Sequence, residues 1–199
     1  PTRRSSDLAN GLVRHIGLSF HDTADCLEEI LQAHPEVEFV QLQINYADWD
    51  NGVIQSRLCY ETARRHGKPV IIMEPVKGGS LAMLPAHIAD IFTAANPRAS
   101  VASWALRYAA SLEGVPVTLS GMSDMQQLRD NLSVMGDFVP LSGEERRVVA
   151  RAVAELNKVD TVPCTGCGYC VKDCPQHIPL PQVFAAYNHC QMLGNFAGA

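Results

Sequence analysis

Four short apolar runs, each separated from the next by a segment of helical periodicity, constrain this chain more than any other feature. They are Val13–Phe20, Val37–Ile44 (VEFVQLQI), Pro69–Met73 (PVIIM) and Val115–Leu119. Strands that are nearly all apolar are expected to be buried on both faces, which implies a parallel sheet with helices between its strands and not a meander. The intervening segments carry helix signals. Asp22 or Thr23 can cap a helix bearing Leu27, Ile30 and Leu31, stopped by Pro35. Asn51 opens a second helix with Ile54, Leu58 and Ala63, ending in Arg64-Arg65-His66 and Gly67. Cations there complement the helix dipole, and Gly67 takes the left-handed position past the end. A broken helical stretch runs from Leu81 to Phe92. Ser100 starts a helix with Val101, Trp104, Ala105, Tyr108 and Leu112 in register, and a further helix bears Met125, Leu128, Leu132 and Met135.

Four such units fit either a doubly wound sheet or a piece of an eight-stranded barrel. No G-x-G-x-x-G follows the first run, which counts against the dinucleotide-binding doubly wound fold. Ser142-Gly143-Glu144-Glu145 then reads as a capping box for a helix with Val148, Val149, Ala152, Val153 and Leu156 on one side. Beyond Asp160 the composition shifts to Cys, Gly and Pro. The organisation expected is an α/β domain over 9–140, a connecting helix over 141–159, a small module over 160–192 and a tail over 193–199. Residues 1–8 (PTRRSSDL) back-translate to a short-read sequencing adapter, so they are set aside as a non-native scar. The natural protein is then expected to extend further toward its N-terminus.

Composition removes several function classes. The formal charge is −5 with no dense basic run, which argues against phosphate-neutralising nucleic-acid binding. No apolar stretch approaches the ~18 residues of a membrane-spanning helix, and no signal-peptide pattern opens the chain. A cytoplasmic location is expected.

Four of the seven cysteines fall within eleven positions: Cys164, Cys167, Cys170 and Cys174, followed by Pro175. This C-x2-C-x2-C-x3-C-P run is the bacterial ferredoxin signature, in which closely spaced thiolates on a Gly-containing loop converge on a 4Fe–4S cluster. Disulfides are disfavoured because cysteines two residues apart close strained loops. Structural zinc would place a second ligand pair a dozen or more residues away, and buried free thiols would not cluster among Gly and Pro. Cys174 is the favoured fourth ligand. The alternative is Cys190, because in two-cluster ferredoxins the Cys before Pro serves the other cluster. A module of about thirty residues is too small for its own core and should need its metal to fold. Cys26 and Cys59 lie in amphipathic helices and read as small buried hydrophobes.

In this order, Arg14-His-Ile-Gly-Leu-Ser-Phe-His-Asp22, Val40 through Trp49, Met73-Glu-Pro-Val-Lys-Gly-Gly79, Leu119-Ser-Gly-Met-Ser123 through Leu132, and the cysteine run with Ile178-Pro-Leu-Pro and Tyr187-Asn188 make the chain resemble a known family. It resembles the C-terminal part of an aldo/keto reductase of the subgroup with a C-terminal 4Fe–4S ferredoxin-type segment, over roughly residues 9–192. The resemblance implies the second half of a (β/α)8 barrel that binds NADPH or NADH at the C-terminal ends of its strands and reduces carbonyls by hydride transfer. It implies that Ser19 and Gln43 lie near the nicotinamide carboxamide. The loop Gly78 to Leu81, with Gly78 and Gly79, would lie along the pyrophosphate, and Gly121, Gln127 and Asn131 near the adenosine end. This chain departs from the pattern at Phe20 (usually Asn), Met73 (usually the aromatic stacked on nicotinamide) and Ser123 (often a cation for the 2′-phosphate). The family's Asp–Tyr–Lys–His tetrad comes from the first four strands, so no proton donor can be named and the chain alone is expected to be inactive as a reductase.

His21, Tyr46 and Trp49 follow strand ends, where barrel sites lie, whereas Trp104 and Tyr108 read as core. Hydride and single-electron chemistry do not join directly, so a flavin or a redox partner protein would have to mediate. Two classes of function remain: a nicotinamide-dependent reductase of a small carbonyl substrate with an accessory cluster, or an electron-transfer or binding module on a non-catalytic barrel scaffold.

Overall fold

In the computed structural model, which describes residues 10–162, 164 and 168–193, the four apolar runs form one parallel sheet. Residues 1–8, Cys167 and the tail beyond 193 lie outside the described residues. The strands are β1 (Gly17–Ser19), β2 (Phe39–Gln43), β3 (Val70–Met73) and β4 (Val117–Thr118), and they pair in sequence order. In register, Ser19 faces Gln41, Gln43 faces Met73, and Ile72 faces Thr118. Each strand is shorter than its apolar run, because pairing lasts only where a neighbouring strand runs alongside. Leu12 and Val13 are exposed.

Alternation along the strands separates two faces. Val40, Leu42, Val70 and Ile72 are fully covered by helices. Phe39, Gln41, Gln43, Ile71 and Met73 point the other way and are only half-buried. The expectation of burial on both faces is therefore corrected: this second face is only partly covered, so burial follows the period-two alternation of the strand.

Helix α1 (Ala24–Ala33) starts as expected, with the Thr23 hydroxyl accepting from Cys26 N–H. Its Leu27 and Leu31 join Val40, Val70, Cys59 and Ala63 in one core. Helix α2 (Ser56–Arg65) begins five residues later than the sequence suggested. Asn51 instead turns the chain, its side-chain oxygen accepting from Val53 and Ile54 N–H at 2.8 and 3.1 Å. Gln55 then adopts a left-handed φ of 55° and its side chain accepts from Ala24 N–H at the start of α1. The buried face of α2 is accordingly Ser56, Cys59, Thr62 and Ala63, while Leu58 is 43% exposed. Gly67 does take the left-handed position, at φ 68°.

The broken stretch after β3 resolves into a 3₁₀ segment (Lys77–Ala82) and helix α3 (Ala86–Ala95). Helix α4 (Val101–Ala110) is capped by Ser100, and helix α5 (Met125–Met135) by Asp124. No residue of α5 is fully buried, and Met125 and Leu132 are about 60% exposed. Helix α6 (Gly143–Leu156) has the predicted capping box and packs on α3, where Val149 and Ala152 meet Ile88, Phe92 and Trp104 in a second core. Trp104 is core as expected, and Tyr108 packs against this cluster half-buried.

Beyond α6 lie a short turn of helix, α7 (Tyr169–Lys172), and α8 (Leu180–Leu193). The Asn188 side chain pairs with the Val162 main chain twice, accepting its N–H at 2.7 Å and donating to its carbonyl at 2.8 Å. Tyr187 donates to Asp160 at 3.4 Å and accepts from Gln191 at 2.7 Å. The Tyr187-Asn188 pair thus ties α8 to the strand of chain entering the cysteine run. Among the described residues, no helix is long and apolar enough to cross a membrane.

Candidate functional site

All four strands run the same way, so their C-terminal ends share one edge, and the loops leaving that edge build two cavities. The first, a cleft of about 470 Å³, lies between the loop after β3 and the loop after β4. It brings together Gly78, Gly79, Gly121, Gln127 and Asn131, together with Met73 and Asp130. Its floor is unusual backbone. Glu74 and Lys77 sit at φ 57° and 50°, and Gly78 and Gly79 at 62° and 94°. The loop closes on itself: Lys77 N–H donates to the Glu74 carbonyl and Gly79 N–H to the Val76 carbonyl, both at 3.0 Å. Gly79 is required by that φ, and a Cβ there or at Gly121 would meet no atom within 4 Å, so the main chain at both faces open space.

On the opposite wall, Asp124 caps α5 by accepting from Gln127 N–H at 2.8 Å. The Gln127 side-chain oxygen accepts from Ser123 N–H and from its hydroxyl (2.8 and 3.2 Å), which closes the loop onto the helix. Asn131 donates to Ser120 at 2.9 Å, and Asp130 accepts from the Ser100 hydroxyl at 2.6 Å. Ser123 therefore serves loop closure, and Met73 is part of the cleft wall rather than of the core.

The other two residues suggested for the cofactor lie nearer β1 and β2 and are not brought to each other. Ser19 is exposed, 3.4 Å from His21 Nε2, and accepts from Gln41 at 3.5 Å. Gln41 also reaches the Met73 sulfur at 3.4 Å. Gln43 instead donates to Asp48 at 3.4 Å. Gln41, which sequence reasoning passed over, is thus the glutamine beside Ser19 and Met73. Strand register sets that pairing, and no local sequence signal gives it.

Asp48 is the centre of a buried polar group, 1% exposed. It accepts from Asn45 at 2.9 Å and is ion-paired with Lys77. Tyr46, which follows the end of β2, is a core residue at 2% exposure, and burial holds its phenol well above the usual range. Trp49 is half-buried against Tyr60. Burial pushes the Cys59 thiol up to about 11, which keeps it protonated and inert. Cys26 is only half-buried.

The second cavity, about 490 Å³, is walled by Asp48, Lys77, Gly78, Leu81, Cys164 and Asn188, so the start of the cysteine run lies beside the loop after β3. Cys170 is exposed and Cys174 and Cys190 are half-buried. Among the described residues no group of three or more His, Cys, Asp or Glu is placed to hold a metal, and Cys167 lies outside them.

The sequence model of the aldo/keto reductase family matches residues 7–153. The chain belongs to that family. The match ends before the cysteine run. Among solved structures this aldo/keto reductase is similar to AKR11C1 from Bacillus halodurans in its holo form (TM-score 0.57, 19% identity, 74% of this chain and 53% of that one). It is similar to an aldo-keto reductase from Klebsiella pneumoniae in complex with NADPH (0.56, 22%, 74% and 50%). A third is the thermostable Tm1743 with the inhibitor epalrestat (0.59, 21%, 75% and 52%). The chain spans about half the length of these structures, and its parallel sheet matches part of their (β/α)8 barrel. No curated protein sequence matches it.

Proposed function

We propose that this aldo/keto reductase chain is the cofactor-binding C-terminal part of an enzyme that passes a hydride from a nicotinamide to a small carbonyl compound. The observation that carries the reading is the convergence of Gly78, Gly79, Gly121, Gln127 and Asn131 on one cleft. That cleft lies at the C-terminal strand ends, where barrels of this kind keep their chemistry. The open main chain at Gly79 and Gly121 fits a phosphate that must approach the backbone closely. The NADPH complex of the Klebsiella relative points the same way. When bound, the nicotinamide supplies the hydride. The residues of this chain bind and orient: Ser19 ends β1 with Gln41 of β2 beside it, Met73 offers an apolar wall, and the Ser123–Gln127 contact holds the far end of the cleft. Gln43, joined to Asp48, acts at one remove. No residue here is assigned as proton donor, and the 199-residue chain is not expected to reduce carbonyls unaided.

The cysteine run is proposed to hold a 4Fe–4S cluster on Cys164, Cys167, Cys170 and Cys174, with Cys190 as the alternative fourth ligand. The chemistry of the donor set supports this: soft thiolates at ferredoxin spacing suit iron–sulfur ligation. A cluster moves single electrons, so a redox partner protein or a bound flavin would link it to two-electron chemistry.

Titrating the chain with NADPH and with NADH by intrinsic fluorescence tests the cleft. Saturable binding that Gly79→Val weakens at least about tenfold, near 1.4 kcal/mol, is expected; no saturable binding of either nucleotide overturns the reading. Iron and sulfide analysis after anaerobic reconstitution tests the cluster, and a colourless, zinc-only protein would overturn it. Cluster retention in Cys174→Ser against Cys190→Ser identifies the fourth ligand.

A further inference from the structure

Asn45 and Asp48 are withdrawn from solvent almost completely, at 0% and 1% exposure. A carboxylate in that position is costly unless charge and hydrogen bonds compensate it. Gln43 on β2 adds one donor to Asp48 at 3.4 Å, and the remaining compensation ties it to a single loop. Asn45 Nδ2 donates to Asp48 Oδ2 at 2.9 Å and to the Glu74 carbonyl at 3.3 Å. The Lys77 ammonium is paired with the other Asp48 oxygen. Asp48 N–H donates back to Asn45 Oδ1 at 2.9 Å, which fixes the two side chains relative to each other.

The two points held are the two non-glycine residues of that loop in left-handed backbone, Glu74 and Lys77. Side-chain-bearing residues stay there only where surrounding structure holds them, and such strain gathers at ligand clamps. The segment they bracket leads into Gly78 and Gly79, and it is the wall between the two cavities. Glu74 and Gly79 line the cleft, Lys77 lines the neighbouring cavity, and Gly78 lines both.

We propose that Asp48 is a positioning residue: through Asn45 and Lys77 it holds the loop from Glu74 to Gly79, with Glu74 and Lys77 left-handed, as the wall of the cleft, and so sets the cleft's nucleotide affinity without touching the nucleotide. The clause on affinity rests on the nicotinamide reading above; the clamp itself does not. Because Asp48 takes the charge of Lys77, the loop carries no free ammonium beside the cleft.

Hydrogen exchange on the full chain tests the clamp without any ligand. Asp48→Asn keeps the shape and removes the charge, and Lys77→Gln removes the other partner. Exchange of the amides over 74–82 is expected to rise about tenfold in each, since local opening is governed by local contacts. The double variant is expected to exchange no faster than either single one, the signature of one shared interaction. Exchange over 74–82 unchanged in Asp48→Asn, a rise in Asp48→Asn that Lys77→Gln does not reproduce, or a rise spread evenly over the sheet would overturn the proposal. Titration with NADP⁺ completes the test, with an affinity loss of about fivefold to tenfold expected in both variants. Wild-type protein that binds no NADP⁺ would count against the nicotinamide reading, while the exchange result would still decide the clamp. Loosened exchange with undiminished NADP⁺ affinity would overturn the positioning role.

Discussion

Arg107 on α4 grips Glu145 on α6 through two guanidinium nitrogens, at 2.6 and 3.1 Å, with both side chains more than two-thirds buried. The same carboxylate closes the capping box by accepting from Ser142 N–H at 2.8 Å. One side chain therefore both starts α6 and fastens it to α4. The Arg107 hydrogen bond and ion pair hold the Glu145 carboxyl below its usual range. Glu145→Gln keeps a capping partner but breaks the charge pair, and is expected to cost about 1.5–3 kcal/mol of stability. Urea denaturation of the variant checks this; a loss no larger than that of an exposed surface pair would show that α6 is held by its apolar face alone.

The Phe39 ring lies across Gly17 of the neighbouring strand, where an added Cβ would come within 2.1 Å of it. Gly17→Val is expected to destabilise by about 1–3 kcal/mol through overpacking at the edge strand. Combining it with Phe39→Ala should recover part of that loss, which a double-mutant cycle would measure as coupling of opposite sign.

Glu28 on α1 accepts from His66 at 2.8 Å and from Arg65 at 3.1 Å across the junction with α2, and from Gln32 at 2.8 Å. These bonds, His66 foremost, lower its carboxyl from 4.5 to about 2. A carboxyl lowered in the folded state stabilises it above the unfolded value, and that stabilisation disappears as pH falls from about 4.5 toward about 2. Denaturation midpoints measured across this range should fall less steeply in Glu28→Gln than in the natural sequence. Parallel curves would remove Glu28 from the acid response.

Among the described residues the Tyr46 hydroxyl is buried without a hydrogen-bond partner, inside a cluster of Phe92 and Tyr108 rings. Removing an unsatisfied buried hydroxyl is neutral or favourable. Tyr46→Phe should leave the melting temperature unchanged or raise stability by up to about 1 kcal/mol. A clear loss of stability would mean that an ordered water satisfies the hydroxyl.

Local signals settled what could be read one segment at a time. Apolar runs between helical periodicities announced a parallel α/β sheet, and the caps at Thr23, Ser100 and Ser142 all stand where side-chain chemistry puts them. The five residues Gly78, Gly79, Gly121, Gln127 and Asn131 converge on one cleft because the segments that follow parallel strands leave the sheet at one edge. Whether Gln41 or Gln43 joins Ser19, whether Tyr46 faces the mouth or the core, and how Asp48 reaches Lys77 from 29 residues away depended on pairing register and packing between distant segments. Those relations are set by contacts across the chain, and no window of neighbouring residues contains them.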